Sequence, residues 1–152
     1  MILKGSNIIA ASRAAVWLGL NDPVILKQCI PGCDFFERES ATFLRARVVA
    51  RISLIKMAFT GSVTQSEIQP PESCRLAVTG EGGIVGLVSA DALVRLTATG
   101  PAETRIDYEL HSELGGRLAK FSSSLISSTA QDYATRFFDR LAQAIAAQGS
   151  MN

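Results

Sequence analysis

The sequence has few charged residues, one histidine and three cysteines. Asp, Glu, Lys and Arg make up 19% of its 152 residues and balance to a formal charge of +1, whereas soluble domains usually contain roughly 25% of them. Binding to nucleic acid needs an excess of Lys and Arg on one face, so we expect no nucleic-acid partner. An odd number of cysteines does not suggest a disulfide framework.

The sequence also lacks long apolar runs, although its mean hydropathy is positive, at +0.22. Charged residues interrupt every long apolar stretch, and none approaches the roughly 18 to 20 consecutive apolar residues of a membrane span. Residues 1–17 have no basic segment ahead of an apolar core, so they do not resemble a secretory signal. We therefore expect a cytoplasmic protein, with at most transient peripheral contact at the inner face of the membrane.

Short periodic segments fill the first three quarters of the chain. A strand-like run over residues 2–9 precedes two short predicted helices. Ser12 suits the N-cap of a helix over residues 13–20, and Asp22 and Pro23 suit the start of another over residues 23–29. Between residues 34 and 114 the hydrophobic period is two, interrupted by the prolines at 70–71 and by the glycine-rich connection 80–86. This pattern predicts consecutive antiparallel strands.

The last part of the chain predicts one long helix over residues 117–147, about 46 Å long at about 1.5 Å per residue. Bulky residues occupy its two ends, and small residues occupy its centre, near residues 122–130. We predict one α+β domain over residues 1–148 with a flexible tail at 149–152. In this helix-grip fold, a curved antiparallel sheet of about seven strands wraps around the long helix.

Small side chains are abundant, since 20 alanines, 12 glycines and 15 serines make up nearly a third of the chain. Small residues at the centre of the long helix cannot fill the gap to a sheet that curves away from it. We therefore expect a concave, mostly apolar ligand cavity at that position. The alternative is that the small residues allow the helix to pack closely on the strands.

Short motifs spread over nearly the whole chain carry a family resemblance. The first motif begins with Val16, Trp17 and Leu20, continues with NDP at residues 21–23 and ends with CIPGC at residues 29–33. The later motifs are FTGSVT (59–64), GEGG (80–83), ELGGRLA (113–119) and the pair Phe137 and Phe138. In order and spacing they resemble the CoxG family of carbon monoxide dehydrogenase subunits, within the START-like SRPBCC superfamily. The resemblance implies an accessory protein of a molybdenum hydroxylase, with the hydroxylase subunits as partners.

The predicted inner faces of the strands offer no catalytic constellation. His111 alternates in phase with Asp107 and Glu109, so we expect it at the surface. Tyr108 is the main polar candidate on the inner face, and we expect its hydroxyl to be satisfied within the core. An enzyme of this fold needs a general acid or base, or a nucleophile with its base, in the cavity. We therefore predict a protein that is not an enzyme and has no cofactor.

Two cysteines of the CIPGC motif are close enough in sequence to share a metal or to form a disulfide. No histidine and no second cysteine pair completes a zinc site, so we predict no metal and a rigid turn that closes one end of the cavity. A redox or cluster-handling role is the alternative. The GEGG glycines lack the strand-to-helix context of a phosphate loop. The predicted rim or loop residues are Cys29, Pro31, Gly32, Cys33, Gly82 and Gly83.

The leading functional hypothesis is a non-enzymatic cup that holds a hydrophobic small molecule, a quinone or another lipid, beside a molybdenum hydroxylase. One alternative is an assembly or membrane-recruitment factor acting through its outer surface. Arg45, Arg47 and Arg51 form a basic stripe there; we expect a solvated face, because three charges give only marginal membrane affinity at about 1 kcal/mol each, and the alternative is contact with anionic lipid or an acidic partner. A cyclase or hydrolase of the same superfamily is the third, disfavoured by the missing inward acid or base. The predicted cavity lining is Trp17, Val48, Ile52, Phe59, Val94, Tyr108, Phe121, Leu125 and Thr129.

Overall fold

One seven-stranded antiparallel sheet and three α-helices make up most of the described chain. The computed structural model describes residues 1–83 and 86–150, the side chain of Ser150 excepted. The strands are β1 (Ile2–Ile9), β2 (Cys33–Arg38), β3 (Phe43–Ile52), β4 (Ile55–Gln69), β5 (Ser73–Glu81), β6 (Leu87–Gly100) and β7 (Glu103–Gly115), and the helices are α1 (Arg13–Leu20), α2 (Pro23–Cys29) and α3 (Ser123–Ser150).

The strand order is β1-β7-β6-β5-β4-β3-β2. From β2 to β7 each strand pairs with the next one along the chain, because tight turns return the chain antiparallel to itself. Only β1 is displaced: it pairs with β7, and α1 and α2 carry the chain from there to β2 at the opposite edge. The predicted α+β helix-grip fold, with its curved antiparallel sheet and long C-terminal helix, is confirmed.

Side-chain caps place the two short helices where the sequence predicts them. The Ser12 side chain accepts a hydrogen bond from the backbone N–H of Ala15 at 3.2 Å and begins α1. The Asp22 carboxylate accepts one from Val24 N–H at 2.9 Å, and Pro23 fills the first position of α2. The bounds of both helices are confirmed.

The C-terminal segment differs from the single helix predicted for residues 117–147. A short 3₁₀ helix covers Gly116–Lys120, Phe121 is extended with a ψ of 150°, and α3 begins at Ser123. The Ser122 hydroxyl accepts a hydrogen bond from Leu125 N–H at 3.2 Å, as a serine at a helix start does. At the other end α3 includes the first two residues of the predicted tail 149–152, and the last two lie outside the described residues. None of the helices described is long and apolar enough to cross a membrane.

Two separate apolar clusters pack helices against the inner face of the sheet. The larger one joins α1, α2 and the C-terminal half of α3 to β1, β6 and β7. The smaller one joins the 3₁₀ helix and the start of α3 to β3 and β4. The larger cluster contains Ile9, Val16, Ile25, Cys29, Leu96, Ile106, Phe138, Leu141 and Ile145, and the smaller contains Ile52, Met57, Leu118 and Ile126.

Gly61 and Gly80 are cross-strand neighbours on β4 and β5, but only Gly61 requires glycine. A Cβ on Gly61 would lie 2.1 Å from the carbonyl oxygen of Thr79, whereas a Cβ on Gly80 would have its nearest contacts at 3.9 Å. We expect Gly61→Ala to destabilise the protein by about 1–3 kcal/mol, because the backbone must shift. Gly80→Ala should change stability by no more than about 0.5 kcal/mol. Urea unfolding measures both, and equal effects would contradict this account.

Candidate functional site

A cavity of about 220 Å³ lies between the inner face of the sheet and the helices. α1, α2 and α3 contribute to its wall, as do all the strands except β1. Aliphatic and aromatic side chains form most of the wall, with Trp17 from α1, Phe36 from β2 and Phe137 from α3 among them. A concave, mostly apolar space with few polar groups is the usual form of a small-molecule site.

The aromatic side of the cavity is fixed by ring contacts. Tyr108 stacks on Phe138 with ring centroids 5.3 Å apart, and Phe138 meets Phe137 edge to face at 5.1 Å. Gly5, opposite Tyr108 on β1, leaves room for this tyrosine, since a Cβ there would lie 2.2 Å from the Tyr108 hydroxyl oxygen. Burial raises the pKa of Tyr108, so its hydroxyl is neutral at physiological pH.

A polar cluster of Asn21, Arg38 and Gln65 forms another part of the wall. Nη1 of Arg38 donates to Oε1 of Gln65 at 3.0 Å, and Nη2 donates to the carbonyl oxygen of Asn21 at 3.1 Å. Nε2 of Gln65 donates to Oδ1 of Asn21 at 2.8 Å. Gln65 is only 7% exposed, and Arg38 is half-buried. The sequence-based expectation that Tyr108 is the main polar candidate on the inner face missed Arg38.

Three of the nine predicted lining residues are beside this cavity: Trp17, Val94 and Tyr108. The other six lie elsewhere, because the cavity is under residues 137–138 in the middle of α3 and not under the small residues 122–130 near its start. Ile52, Phe59, Phe121 and Leu125 belong to the smaller apolar cluster or pack against it. Val48 pairs with Cys33 and Phe59 in the sheet, and the Thr129 hydroxyl donates to the carbonyl oxygen of Leu125 at 2.8 Å.

The CIPGC motif forms the tight junction between α2 and the sheet, and of its five residues only Ile30 lines the cavity. Cys29 is fully buried in the larger cluster, and Pro31 is also buried. Gly32 has a φ of +77°, and a Cβ there would lie 2.0 Å from the carbonyl oxygen of Val49. Only glycine tolerates this combination. Cys33 is half-buried, and its thiol contacts the carbonyl oxygen of Phe35 at 3.1 Å.

The predicted glycine rim also lies away from the cavity. A Cβ on Gly82 would lie 3.2 Å from the ring of Phe59. Gly83, with a φ of +64°, borders a groove that Arg45 and Thr79 also line. Two residues of the predicted connection 80–86, Ile84 and Val85, lie outside the described residues. The sequence pattern predicted a glycine-rich connection here but gave no information on which face of the sheet it adjoins.

The titratable groups give little sign of nucleophilic or metal chemistry. Burial raises the pKa of the Cys29, Cys33 and Cys74 thiols, so all three are protonated at neutral pH and weakly reactive. His111 is exposed, as predicted, and its Nε2 lies 3.0 Å from Oε1 of Glu109. Within residues 1–83 and 86–150, no three His, Cys, Asp or Glu side chains are grouped so that they could hold a metal ion.

Similarity to known proteins covers nearly the whole chain. The model of the CoxG family, which is described as a subunit of carbon monoxide dehydrogenase, matches residues 5–146. No curated protein is similar enough to match. Among solved structures, a conserved protein from Geobacillus kaustophilus is 29% identical, with a TM-score of 0.90 over 96% of this chain and 95% of that one.

More distant structures share the fold alone. A START superfamily protein from Mycobacterium smegmatis is 12% identical, with a TM-score of 0.74 over 97% of this chain and 98% of that one. The Zhui aromatase/cyclase from Streptomyces sp. R1128 is 10% identical, with a TM-score of 0.67 over 96% of this chain and 93% of that one. At identities this low, the structural similarity establishes the architecture alone. The chemistry has to be argued from the residues of the site.

Proposed function

Because the chain belongs to the CoxG family of carbon monoxide dehydrogenase subunits, we propose that it is a non-enzymatic binding protein of a molybdenum hydroxylase system. Its ligand is a hydrophobic small molecule, a quinone or another lipid. The observation that carries this proposal is the concave apolar cavity beneath Phe137 and Phe138. Removing apolar ligand surface from water, at about 25 cal/mol per Å², supplies most of the affinity.

The cavity size restricts how much of a ligand is enclosed. Drug-sized ligands occupy pockets of about 300–1,000 Å³, and this one measures about 220 Å³. It therefore suits one ring system or a short alkyl chain. A long quinone or lipid tail would extend beyond it.

The groups on the described cavity wall favour binding over catalysis. This part of the wall includes no carboxylate and no histidine. An arginine guanidinium cannot act as a base in a protein, and the raised pKa of Tyr108 keeps its hydroxyl neutral, so neither Arg38 nor Tyr108 serves as a general base. General acid–base catalysis needs a group that gains and loses a proton near neutral pH.

The outer basic stripe gives weaker support to the alternative of a surface-acting assembly factor. Nε of Arg45 lies 2.7 Å from Oε1 of Glu39, and Arg47 pairs with Asp34. Carboxylates of the same surface therefore neutralise two of the three arginines. These ion pairs reduce the net positive charge of the stripe, and that charge is what would attract an acidic partner or an anionic membrane.

Ligand extraction tests the proposal directly. Purified protein is denatured in organic solvent, and the extract is analysed by mass spectrometry. Quinones and lipids are then added to protein without a ligand, and Trp17, the only tryptophan, reports binding because it lines the cavity. A protein that carries no extractable ligand and ignores every added quinone and lipid, yet captures hydroxylase subunits, would support the surface-acting alternative instead.

Cys74 provides a second reporter, because it lines the cavity and is 8% exposed. A molecule that enters the cavity should slow its alkylation about tenfold at ten times the dissociation constant, since only free protein reacts. Cys33, away from the cavity, is the internal control and should react equally fast with and without ligand. Burial raises the pKa of the Cys74 thiol, so its alkylation should accelerate as pH rises. Peptide mass spectrometry measures both rates, and equal protection of Cys33 would contradict a cavity site.

A further inference from the structure

Arg38 is a cation on the cavity wall without an anionic partner. Among residues 1–83 and 86–150, no carboxylate oxygen lies within 4.0 Å of its guanidinium nitrogens. Glu39, adjacent in sequence, pairs with Arg45 instead. A half-buried charge without a counter-ion is costly, so its position beside an apolar cavity calls for an explanation.

Three neutral acceptors hold the guanidinium in place and leave its charge intact. Nη1 donates to the carbonyl oxygen of Ala41 at 2.9 Å and to Gln65, and Nη2 donates to the carbonyl oxygen of Asn21. These bonds use three of the five N–H groups of an arginine. The remaining two, on Nε and Nη2, have no partner among the described residues. Two N–H groups of one guanidinium are what a carboxylate binds in a bidentate pair.

The supporting side chains are themselves fixed. The Gln65 amide bridges Arg38 and Asn21, and Nδ2 of Asn21 donates to the carbonyl oxygen of Trp17 at 2.9 Å. The polar cluster therefore connects β2, β4 and the end of α1. Such a preorganised cation binds an anion without first ordering its own side chain, and low-dielectric surroundings strengthen the attraction.

We infer that the cavity selects a hydrophobic carboxylic acid, whose carboxylate pairs with Arg38 and whose single ring or short alkyl chain lies against the apolar wall. The inference rests on the proposed function and narrows it, because a neutral quinone would leave the guanidinium without a counter-ion. The cavity volume of about 220 Å³ limits the size of the apolar part of the acid. The planar guanidinium of Arg38 selects a carboxylate as its polar group.

The test compares octanoate with 1-octanol, which has the same chain and a neutral head. Affinities are measured by calorimetry and by Trp17 fluorescence. A charge-assisted hydrogen bond to a partly buried group should make wild-type protein bind octanoate about 10- to 100-fold more tightly than octanol. Arg38→Gln should lose this preference and keep its affinity for octanol. Arg51→Gln, which removes one charge from the outer face, should behave as wild type.

Other outcomes of these binding measurements would overturn the inference or part of it. Equal wild-type affinity for octanoate and octanol would overturn the carboxylate inference and leave the hydrophobic cavity standing. A protein that binds neither probe and no quinone would overturn the proposed function as well. An unchanged preference in folded Arg38→Gln protein would exclude Arg38 as the anchor. If that variant does not fold, Arg38→Lys keeps the charge without the planar fork and should show a reduced preference; an undiminished one would contradict the bidentate pair.

Discussion

Replacing Val78 with tryptophan is expected to abolish the binding of hydrophobic probes and leave the protein folded. Val78 lines the cavity from β5 and is half-buried. An indole there would occupy most of a space of about 220 Å³, so a ligand could enter only by displacing it. We expect affinity to fall at least about 100-fold, equivalent to about 2.7 kcal/mol. Calorimetry with octanoate and 1-octanol measures the loss without relying on tryptophan fluorescence.

The adjacent residue of β5 provides a matched control. Ala77 is exposed on the opposite face of the same strand, so Ala77→Trp introduces the same side chain outside the cavity and should leave affinity unchanged. Circular dichroism and urea unfolding establish that both variants are folded. If Val78→Trp binds both probes as wild type does, the cavity between the sheet and α3 is not the binding site, and an outer-surface function becomes the better account.

Most of the fold could be predicted from the sequence because its signals are local. Ser12, Asp22 and Pro23 determine the starts of α1 and α2 through contacts with residues two or three positions away. The period of two marks strands joined by short turns, and short turns imply antiparallel neighbours. The break at Phe121 was missed because the surrounding apolar residues also fit a continuous helix, and only the Ser122 cap distinguishes the two.

The location of the cavity could not be predicted in the same way. Helical periodicity shows which face of α3 meets the sheet, but it does not show where along its length the gap lies. The prediction relied on side-chain volume alone and therefore placed the gap beside the small residues 122–130, which lie at the centre of the predicted helix but near the start of α3. Ser128 and Thr129 donate their hydroxyls back to the carbonyl oxygen of Leu125, and the cavity lies farther along, where α1 and α2 adjoin the larger apolar cluster.

Arg38 was missed because the phase of β2 is ambiguous in sequence. Phe35 and Phe36 are adjacent, and either could point inward. In the structure Phe36 is buried and Phe35 is 41% exposed. Alternation then places Arg38 on the inner face with Phe36, where it pairs in register with Leu44 of β3. The position of one phenylalanine thus decides whether the cavity has a cation.

Truncating Leu141 to alanine is expected to produce the largest loss of stability among the variants considered. Leu141 is 0% exposed and belongs to the larger apolar cluster. Its Cδ1 would be 3.6 Å from a Cβ on Gly19, so it fills the space where α3 passes close to α1. Removing its buried methyl and methine groups loses their transfer free energy and leaves a void that a close-packed interior closes only in part. The free energy of unfolding should fall by about 2–5 kcal/mol.

Leu54 is the control for the same chemical change, because it is 94% exposed in the turn between β3 and β4. Leu54→Ala should alter stability by no more than about 0.5 kcal/mol. Urea unfolding of both variants gives the comparison, with the dependence on urea unchanged if the denatured state is unaffected. Leu141 lies outside the cavity wall, so the folded Leu141→Ala protein should retain the preference for octanoate over octanol. If Leu141→Ala instead lost the preference for octanoate and kept nearly the stability of wild type, the main role of Leu141 would be to position the polar cluster and not to stabilise the fold.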